Sequence, residues 1–153
     1  MIGWMILPLK RYAEFSGRSR RMEYWAFTLM NVVVAFVLIA MMFGAGASMG
    51  AFNQLESADP SAVLALFMGG FGLVFGLWWL AILIPSIAVV VRRLHDRDMS
   101  GWWYLGMIVA SLVPFVGFIA SIAFLVILLL PGTPGPNRFG PDPKDPTGAE
   151  IFA

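Results

Sequence analysis

The chain has 153 residues, of which 59% are hydrophobic and 12% charged, whereas soluble domains have about 45–50% and about 25%. This composition excludes an ordinary soluble domain and indicates an integral membrane protein. The formal net charge of +1 is too small for the basic surface that nucleic-acid binding requires, so we expect no nucleic-acid partner.

The N-terminal segment, residues 1–24, is expected in the cytoplasm. Its short apolar start comes before its first basic residues, which is the reverse of the order in a secretory signal peptide. Further on, Ser19 can cap a following helix, and Glu23 falls in the first turn of that helix, where a negative charge is favourable.

The sequence predicts one all-α membrane domain that comprises residues 1–153. Two charge-free apolar stretches exceed the roughly 20 residues that cross the hydrocarbon layer, and they predict membrane helices at 25–43 and 62–91. The loop between these helices contains Glu56 and Asp59 but no Lys or Arg. The positive-inside rule therefore favours the non-cytoplasmic side for this loop.

The third apolar block, Gly101 to Leu130, is predicted to be a hairpin. One helix of its 30 residues would extend about 45 Å and two helices about 20 Å each, against a hydrocarbon layer of roughly 30 Å, so length does not decide between them. Arg138 and Lys144 in the tail favour the hairpin, because it puts them on the same side as the other basic segments. Pro114 to Gly117 would divide the block into short helices at 102–113 and 117–130, which returns the tail, residues 131–153, to the basic side. We therefore expect a small bundle of four membrane helices; the alternative is three, with the last one kinked.

The charged stretch around His95, the only histidine of the chain, is the candidate polar site. In a helix Arg92 precedes Asp96 by four residues and Arg93 precedes it by three, so one carboxylate can accept from both guanidinium groups. Ser100 can cap the helix that follows.

Four motifs carry a resemblance to a known family. They are Gly-Arg-Ser-Arg-Arg-Met-Glu-Tyr-Trp at 17–25, Arg-Arg-Leu-His-Asp with Ser-Gly-Trp-Trp at 92–103, Pro-Phe-Val-Gly at 114–117, and Pro-Gly-Thr-Pro-Gly-Pro-Asn-Arg-Phe-Gly at 131–140. In these motifs and their order the chain resembles, over nearly its whole length, the small bacterial inner-membrane proteins known as domain of unknown function 805. That family often has Gly at the position of Asp98. The resemblance implies a multi-pass inner-membrane location and supplies no catalytic residues.

The resemblance also implies that the turn at Asn137 to Gly140 docks on the polar site, in a tail too rich in proline for a regular helix. We therefore expect three segments to converge on one cytoplasmic polar cluster. Its expected members are Arg18, Arg21, Glu23, Trp25, Arg92, Arg93, His95, Asp96, Ser100, Trp102, Asn137 and Arg138.

The leading functional hypothesis is a non-enzymatic accessory or structural protein of the lipid bilayer. Its cluster would bind anionic lipid headgroups or a protein partner, because each cation at a membrane surface attracts anionic lipid by about 1 kcal/mol. The alternative is a structural cluster, in which the basic residues set the topology and form internal salt bridges to Glu14, Glu23 and Asp96. Gly72 and Gly76 form a small-residue motif that favours helix contact, within the chain, in a homo-oligomer or with another membrane protein.

Two alternatives belong to other functional classes. A small transporter or channel subunit would need polar residues inside the membrane, and the apolar blocks offer so few that a conducting path would require oligomerisation. A membrane enzyme acting on a lipid headgroup would use His95 and Asp96 as acid and base. We expect no cofactor and no metal, because one histidine and no cysteine leave few ligands for a zinc site.

Overall fold

The computed structural model describes residues 2–46, 61 and 70–145. Over these ranges the chain is helical and contains no β-strand, which confirms the all-α fold class. The described helices are α1 (Ile2–Lys10), α2 (Arg21–Gly46), α3 (Gly70–His95), α4 (Trp102–Ser111) and α5 (Val116–Leu129).

Some sequence-based expectations fall on residues outside this description. The loop that contains Glu56 and Asp59 lies there, as do the first residues of the helix predicted at 62–91 and the end of the tail after Asp145.

Two of the helices are long and apolar enough to cross a membrane. Helices α2 and α3 have 26 residues each, so each extends about 39 Å at 1.5 Å per residue. Their candidate spans are Arg21–Met41 and Gly72–His95, and only 11% and 28% of the most apolar windows are buried. Lipid is the environment that suits so much exposed apolar surface.

The chain divides into two compact units, Leu29–Leu83 and a larger one formed by Met1–Thr28 with Ile84–Ala153. In the smaller unit, Phe75 and Trp79 of α3 pack edge to face, with ring centroids 6.2 Å apart. The larger unit includes α1, α4, α5 and all the residues of the expected polar cluster.

Helices α4 and α5 form a hairpin instead of one kinked helix. The chain reverses at Phe115, whose φ is 64°. A Cβ on Gly117 would lie 2.8 Å from the Cα of Ser111, so the two arms approach too closely there for a larger residue. At the other end, the Arg93 Nε of α3 donates to the Leu128 carbonyl at 3.2 Å, which places the end of α5 beside the end of α3.

Neither Ser19 nor Ser100 occupies the helix-capping position that the sequence predicts. Ser19 donates its hydroxyl to the Arg20 carbonyl at 3.4 Å and its buried backbone N–H to the Arg92 carbonyl at 3.1 Å. It therefore joins α3 to the segment before α2. The Ser100 hydroxyl accepts from the Trp102 N–H at a long 3.4 Å, while Gly101 occupies the N-cap position of α4 and provides no side-chain cap.

Asp98 ends α3 in a left-handed conformation. Its φ is 58°, the Met99 N–H donates to Leu94 O, and the Asp98 N–H donates to His95 O, both at 3.0 Å. This pair of bonds is the Schellman arrangement, which favours glycine at the residue with positive φ. The turn geometry thus explains why a glycine suits position 98.

Replacing Asp98 with glycine is expected to maintain or raise the thermal midpoint, because a left-handed residue with a Cβ costs roughly 1 kcal/mol or more. Asp98→Ala is the matched control: it keeps the Cβ and loses the exposed ion pair with Arg138, which is worth little. Thermal unfolding in detergent, followed by circular dichroism, measures both. A midpoint for the glycine variant below that of the alanine variant would contradict the strain argument.

Candidate functional site

Asp96 lies at the centre of a buried group of charges. Its side chain is 2% exposed. One carboxylate oxygen accepts from Arg93 Nη1, one turn earlier on α3, and the other accepts from Arg18 Nε at 3.0 Å. The predicted contact of Arg93 with Asp96 is confirmed, and the second guanidinium comes from the segment before α2.

Arg92 pairs with Glu23 of α2 and not with Asp96, so that part of the prediction was wrong. The Arg92 side chain is 0% exposed, and its Nη2 lies 2.8 Å from Glu23 Oε1. Its Nη1 donates to the backbone carbonyl of Glu14. The four-residue spacing allowed the pair with Asp96, but both oxygens of that carboxylate are already occupied and Glu23 lies closer to the guanidinium.

Arg18 connects Asp96 to the tail. Its Nη1 donates to the Gly135 carbonyl and its Nη2 to the Thr133 carbonyl, both at 2.6 Å. Thr133 donates its own N–H back to the Asp96 backbone carbonyl at 2.8 Å. Because Arg18 binds a carboxylate and two carbonyls at once, its side chain links the segment before α2 to Asp96 and to the tail.

Gly132 allows this approach. A Cβ at this position would lie 2.0 Å from Asp96 Oδ2, well inside van der Waals contact. The carboxylate cannot simply move away, because Arg18 and Arg93 hold it from two directions.

Asp142 stabilises the backbone on both sides of the turn at Asn137 to Gly140. Its carboxylate accepts from the backbone N–H of Lys144 at 2.9 Å and from that of Gly135 at 3.0 Å. The bond from Lys144 is the largest cause that lowers the pKa of Asp142, with smaller contributions from Gly135 and the positive charge of Arg18. Asp142 therefore remains a carboxylate at neutral pH, as this turn requires.

Three arginines bind consecutive carbonyls at the C-terminal end of α5. The last carbonyls of a helix have no partner within it and carry the negative end of the helix dipole, so cations stabilise them. Arg93 donates to the carbonyls of Leu128 and Leu130, Arg21 to that of Leu129, and Arg97 to that of Pro131.

His95 joins the entry segment, which is the stretch between α1 and α2, to the tail turn at Asn137 to Gly140. Its Nδ1 lies 3.1 Å from the Gly17 carbonyl, which can only accept, so this nitrogen carries the proton. The ring stacks on Phe139, with centroids 3.9 Å apart and planes 5° apart, and Asn137 donates to the His95 backbone carbonyl at 2.9 Å. The tail turn is thus docked, and Asp96 is not a hydrogen-bond partner of the imidazole.

Other expected members of the cluster lie at its edge. Trp25 packs against Tyr24, with ring centroids 5.1 Å apart, and Trp102 is 76% exposed. Arg138 forms an exposed ion pair with Asp98 at 3.2 Å. The buried core of the cluster therefore comprises fewer residues than the sequence suggested. Its charged members are Arg18, Glu23, Arg92, Arg93 and Asp96.

The sequence missed part of the buried core. Gly132, Thr133, Gly135 and Asp142 all contact it, yet three of these contacts go through backbone atoms, which no residue pattern reveals. Asp142 offered a usable signal, since an Asp side chain in a turn often accepts the backbone N–H two residues further on, here that of Lys144.

The chemistry of the buried core favours structure over ligand binding. Three buried guanidinium groups, of Arg18, Arg92 and Arg93, are matched by the two buried carboxylates of Glu23 and Asp96 and by backbone carbonyls. Such pairing offsets the cost of burying charge. Within the ranges that the structure describes, no three histidine, aspartate or glutamate side chains group closely enough to hold a metal ion.

Comparisons with known proteins identify a family and two similar inner membrane proteins. A family profile described as "Protein of unknown function (DUF805)" matches residues 12–141. Inner membrane protein YhaH of Escherichia coli strain K12 is 38% identical over 141 residues, which cover 92% of this chain and 96% of the relative. Inner membrane protein YhaI of the same strain is 35% identical, over 92% and 95% of the two chains. No solved structure matches the chain.

Replacing Gly132 with alanine is expected to destabilise the protein by about 2 kcal/mol or more, because the new Cβ displaces a carboxylate that two buried arginines need. Gly106→Ala on α4 is the matched control, since a Cβ there meets nothing within 4 Å. Thermal unfolding in detergent and the membrane level of each variant measure the effect. Equal midpoints for the two variants would contradict the proposed role of Gly132.

Proposed function

The chain belongs to the DUF805 family of proteins of unknown function, and two of its relatives are named inner membrane proteins. From this premise we propose its placement and role. It is a multi-pass protein of the bacterial inner membrane with its N-terminus in the cytoplasm. It acts without catalysis, as an accessory or structural protein whose cytoplasmic surface binds anionic lipid headgroups.

The distribution of basic residues supports the orientation. All Lys and Arg residues fall in three segments, 10–21, 92–97 and 138–144. These segments adjoin the start of α2, the end of α3 and the end of α5. Since basic residues remain on the cytoplasmic side, α2 leaves the cytoplasm, α3 returns, and the hairpin of α4 and α5 brings the tail back, which gives four membrane helices.

One observation carries the lipid-binding proposal: two arginines outside the buried core are held by carbonyl oxygens. Arg21 donates to Leu129 O at 3.2 Å, and Arg97 donates to Pro131 O at 2.6 Å. A carbonyl fixes the position of a guanidinium without cancelling its charge. Both groups thus keep a positive charge at the end of α5, where a phosphate headgroup can bind those of their N–H donors that are exposed.

The contacts of His95 and Asp96 weigh against the alternative of a membrane enzyme. The Asp96 carboxylate is buried and already accepts from Arg18 and Arg93, so a substrate would have to displace buried groups to reach it. The His95 ring is covered on one face by Phe139. An acid–base pair of His95 and Asp96 would require both contacts to break.

The orientation predicts a cytoplasmic C-terminus. Fusion of green fluorescent protein after Ala153 is expected to fluoresce, whereas alkaline phosphatase at the same position is expected to be inactive, because it folds only in the periplasm. Phosphatase fused after Ser61, beyond the acidic loop, is the control expected to be active. An active phosphatase at the C-terminus would overturn the four-helix arrangement.

Lipid binding predicts a charge-specific loss. The double variant Arg21→Gln, Arg97→Gln leaves a polar amide at each position and removes two charges. At about 1 kcal/mol each, the affinity for phosphatidylglycerol should fall by about 30-fold. Native mass spectrometry of the purified protein titrated with that lipid measures the affinity.

Arg138→Gln is the matched control for this experiment. It also removes an exposed arginine, but Asp98 already balances that charge, so little change is expected. Equal affinities for the wild type, the control and the double variant would overturn headgroup binding and leave a protein partner as the occupant of this surface.

A further inference from the structure

The hairpin of α4 and α5 is too short to cross a bilayer. Helix α4 has 10 residues and α5 has 14, which gives lengths of about 15 Å and about 21 Å at 1.5 Å per residue. The hydrocarbon layer is roughly 30 Å thick. Neither arm reaches from one side of this layer to the other.

The open end of the hairpin is fixed at the polar cluster. Arg21, Arg93 and Arg97 hold the carbonyls at the end of α5. At the start of α4, Trp102 and Trp103 are 76% and 61% exposed, as suits an aromatic belt at a membrane interface. The tip can therefore lie no deeper than the length of one arm.

The tip itself is apolar. Leu112 and Phe115 are 77% and 86% exposed, and Val113 and Val116 are about half exposed. No residue from Gly101 to Leu130 is charged. In water this surface would cost about 25 cal/mol for each Å², and a loop in the periplasm would be expected to be polar.

The backbone of the tip is suited to hydrocarbon, where an unpaired N–H or C=O costs several kcal/mol. The N–H groups of Leu112 and Val113 donate back into α4 at 3.2 Å, and those of Val116 and Gly117 donate within the turn at 2.7 and 2.8 Å. Pro114 has no N–H to satisfy. The turn thus closes with few free donors.

We propose that α4 and α5 form a re-entrant hairpin, whose tip ends inside the hydrocarbon layer and contacts the acyl chains of the cytoplasmic leaflet. The partner of this surface is lipid acyl chain, bound along Leu112 to Val116. The proposal rests on the proposed function for the side from which the hairpin enters. It refines the count of four membrane helices to two that cross and two that turn back.

The absence of cysteine makes a depth measurement straightforward. A nitroxide label on the Phe115→Cys variant, in liposomes of phosphatidylcholine and phosphatidylglycerol, is expected to be relaxed by oxygen and protected from the water-soluble nickel complex NiEDDA. Lys144→Cys, on an exposed tail residue, is the matched control expected to be accessible to nickel. Leu112→Cys gives a second tip position if Phe115→Cys does not accumulate in the membrane.

A tip label that nickel reaches as readily as the label at position 144 would overturn the re-entrant hairpin. In cells, a membrane-impermeant maleimide added to the periplasm should leave the Phe115→Cys variant unlabelled, and labelling of that variant would also overturn it. Labelling of the Lys144→Cys variant from the periplasm, with a tip label still protected from nickel, would instead overturn the proposed orientation and leave the hairpin intact.

Discussion

The structure of the larger unit depends on one buried carboxylate, that of Asp96. Arg93 of α3 and Arg18 of the entry segment bind its two oxygens, and Thr133 of the tail binds its backbone carbonyl. An ionised carboxylate this deeply buried is tolerable only with such partners. Burial of Asp96 therefore requires all three segments to be in place together, so the cluster links the packing of α3, the entry segment and the tail.

The choice of arginine follows from the same requirement. A guanidinium has five N–H donors in a rigid plane and accepts nothing, so Arg18 can bind a carboxylate and two carbonyls at once. A lysine ammonium is a flexible point charge that lacks this planar fork. Such bridging supplies partners for the carbonyls of Thr133 and Gly135, which lie outside the helices.

What the sequence could predict depended on the range of each interaction. The long apolar helices follow from hydropathy, the hairpin from Pro114 and Gly117, and the Arg93 pair from helical spacing, all of which are local. The pairing of Arg92 with Glu23 is 69 residues distant in sequence, and helical spacing favoured the wrong acid. The need for Gly132 arises from the side chain of Asp96, far earlier in the chain, so it becomes visible only in three dimensions.

In our proposal, the polar cluster and the apolar hairpin act on the membrane through the same residues. Arg21 and Arg97 each use one nitrogen to hold the carbonyls that end α5, which fixes how deep the hairpin starts. Each guanidinium has several further N–H donors, and a lipid phosphate bound to the exposed ones would add a partner without displacing a carbonyl. A lipid bound there would strengthen the anchor of the hairpin whose tip, as proposed, contacts the acyl chains of the same leaflet. The hairpin would then bind the lipid headgroup at its base and the acyl chains at its tip. The positive charge of the cluster would determine the depth at which the apolar surface of the hairpin lies.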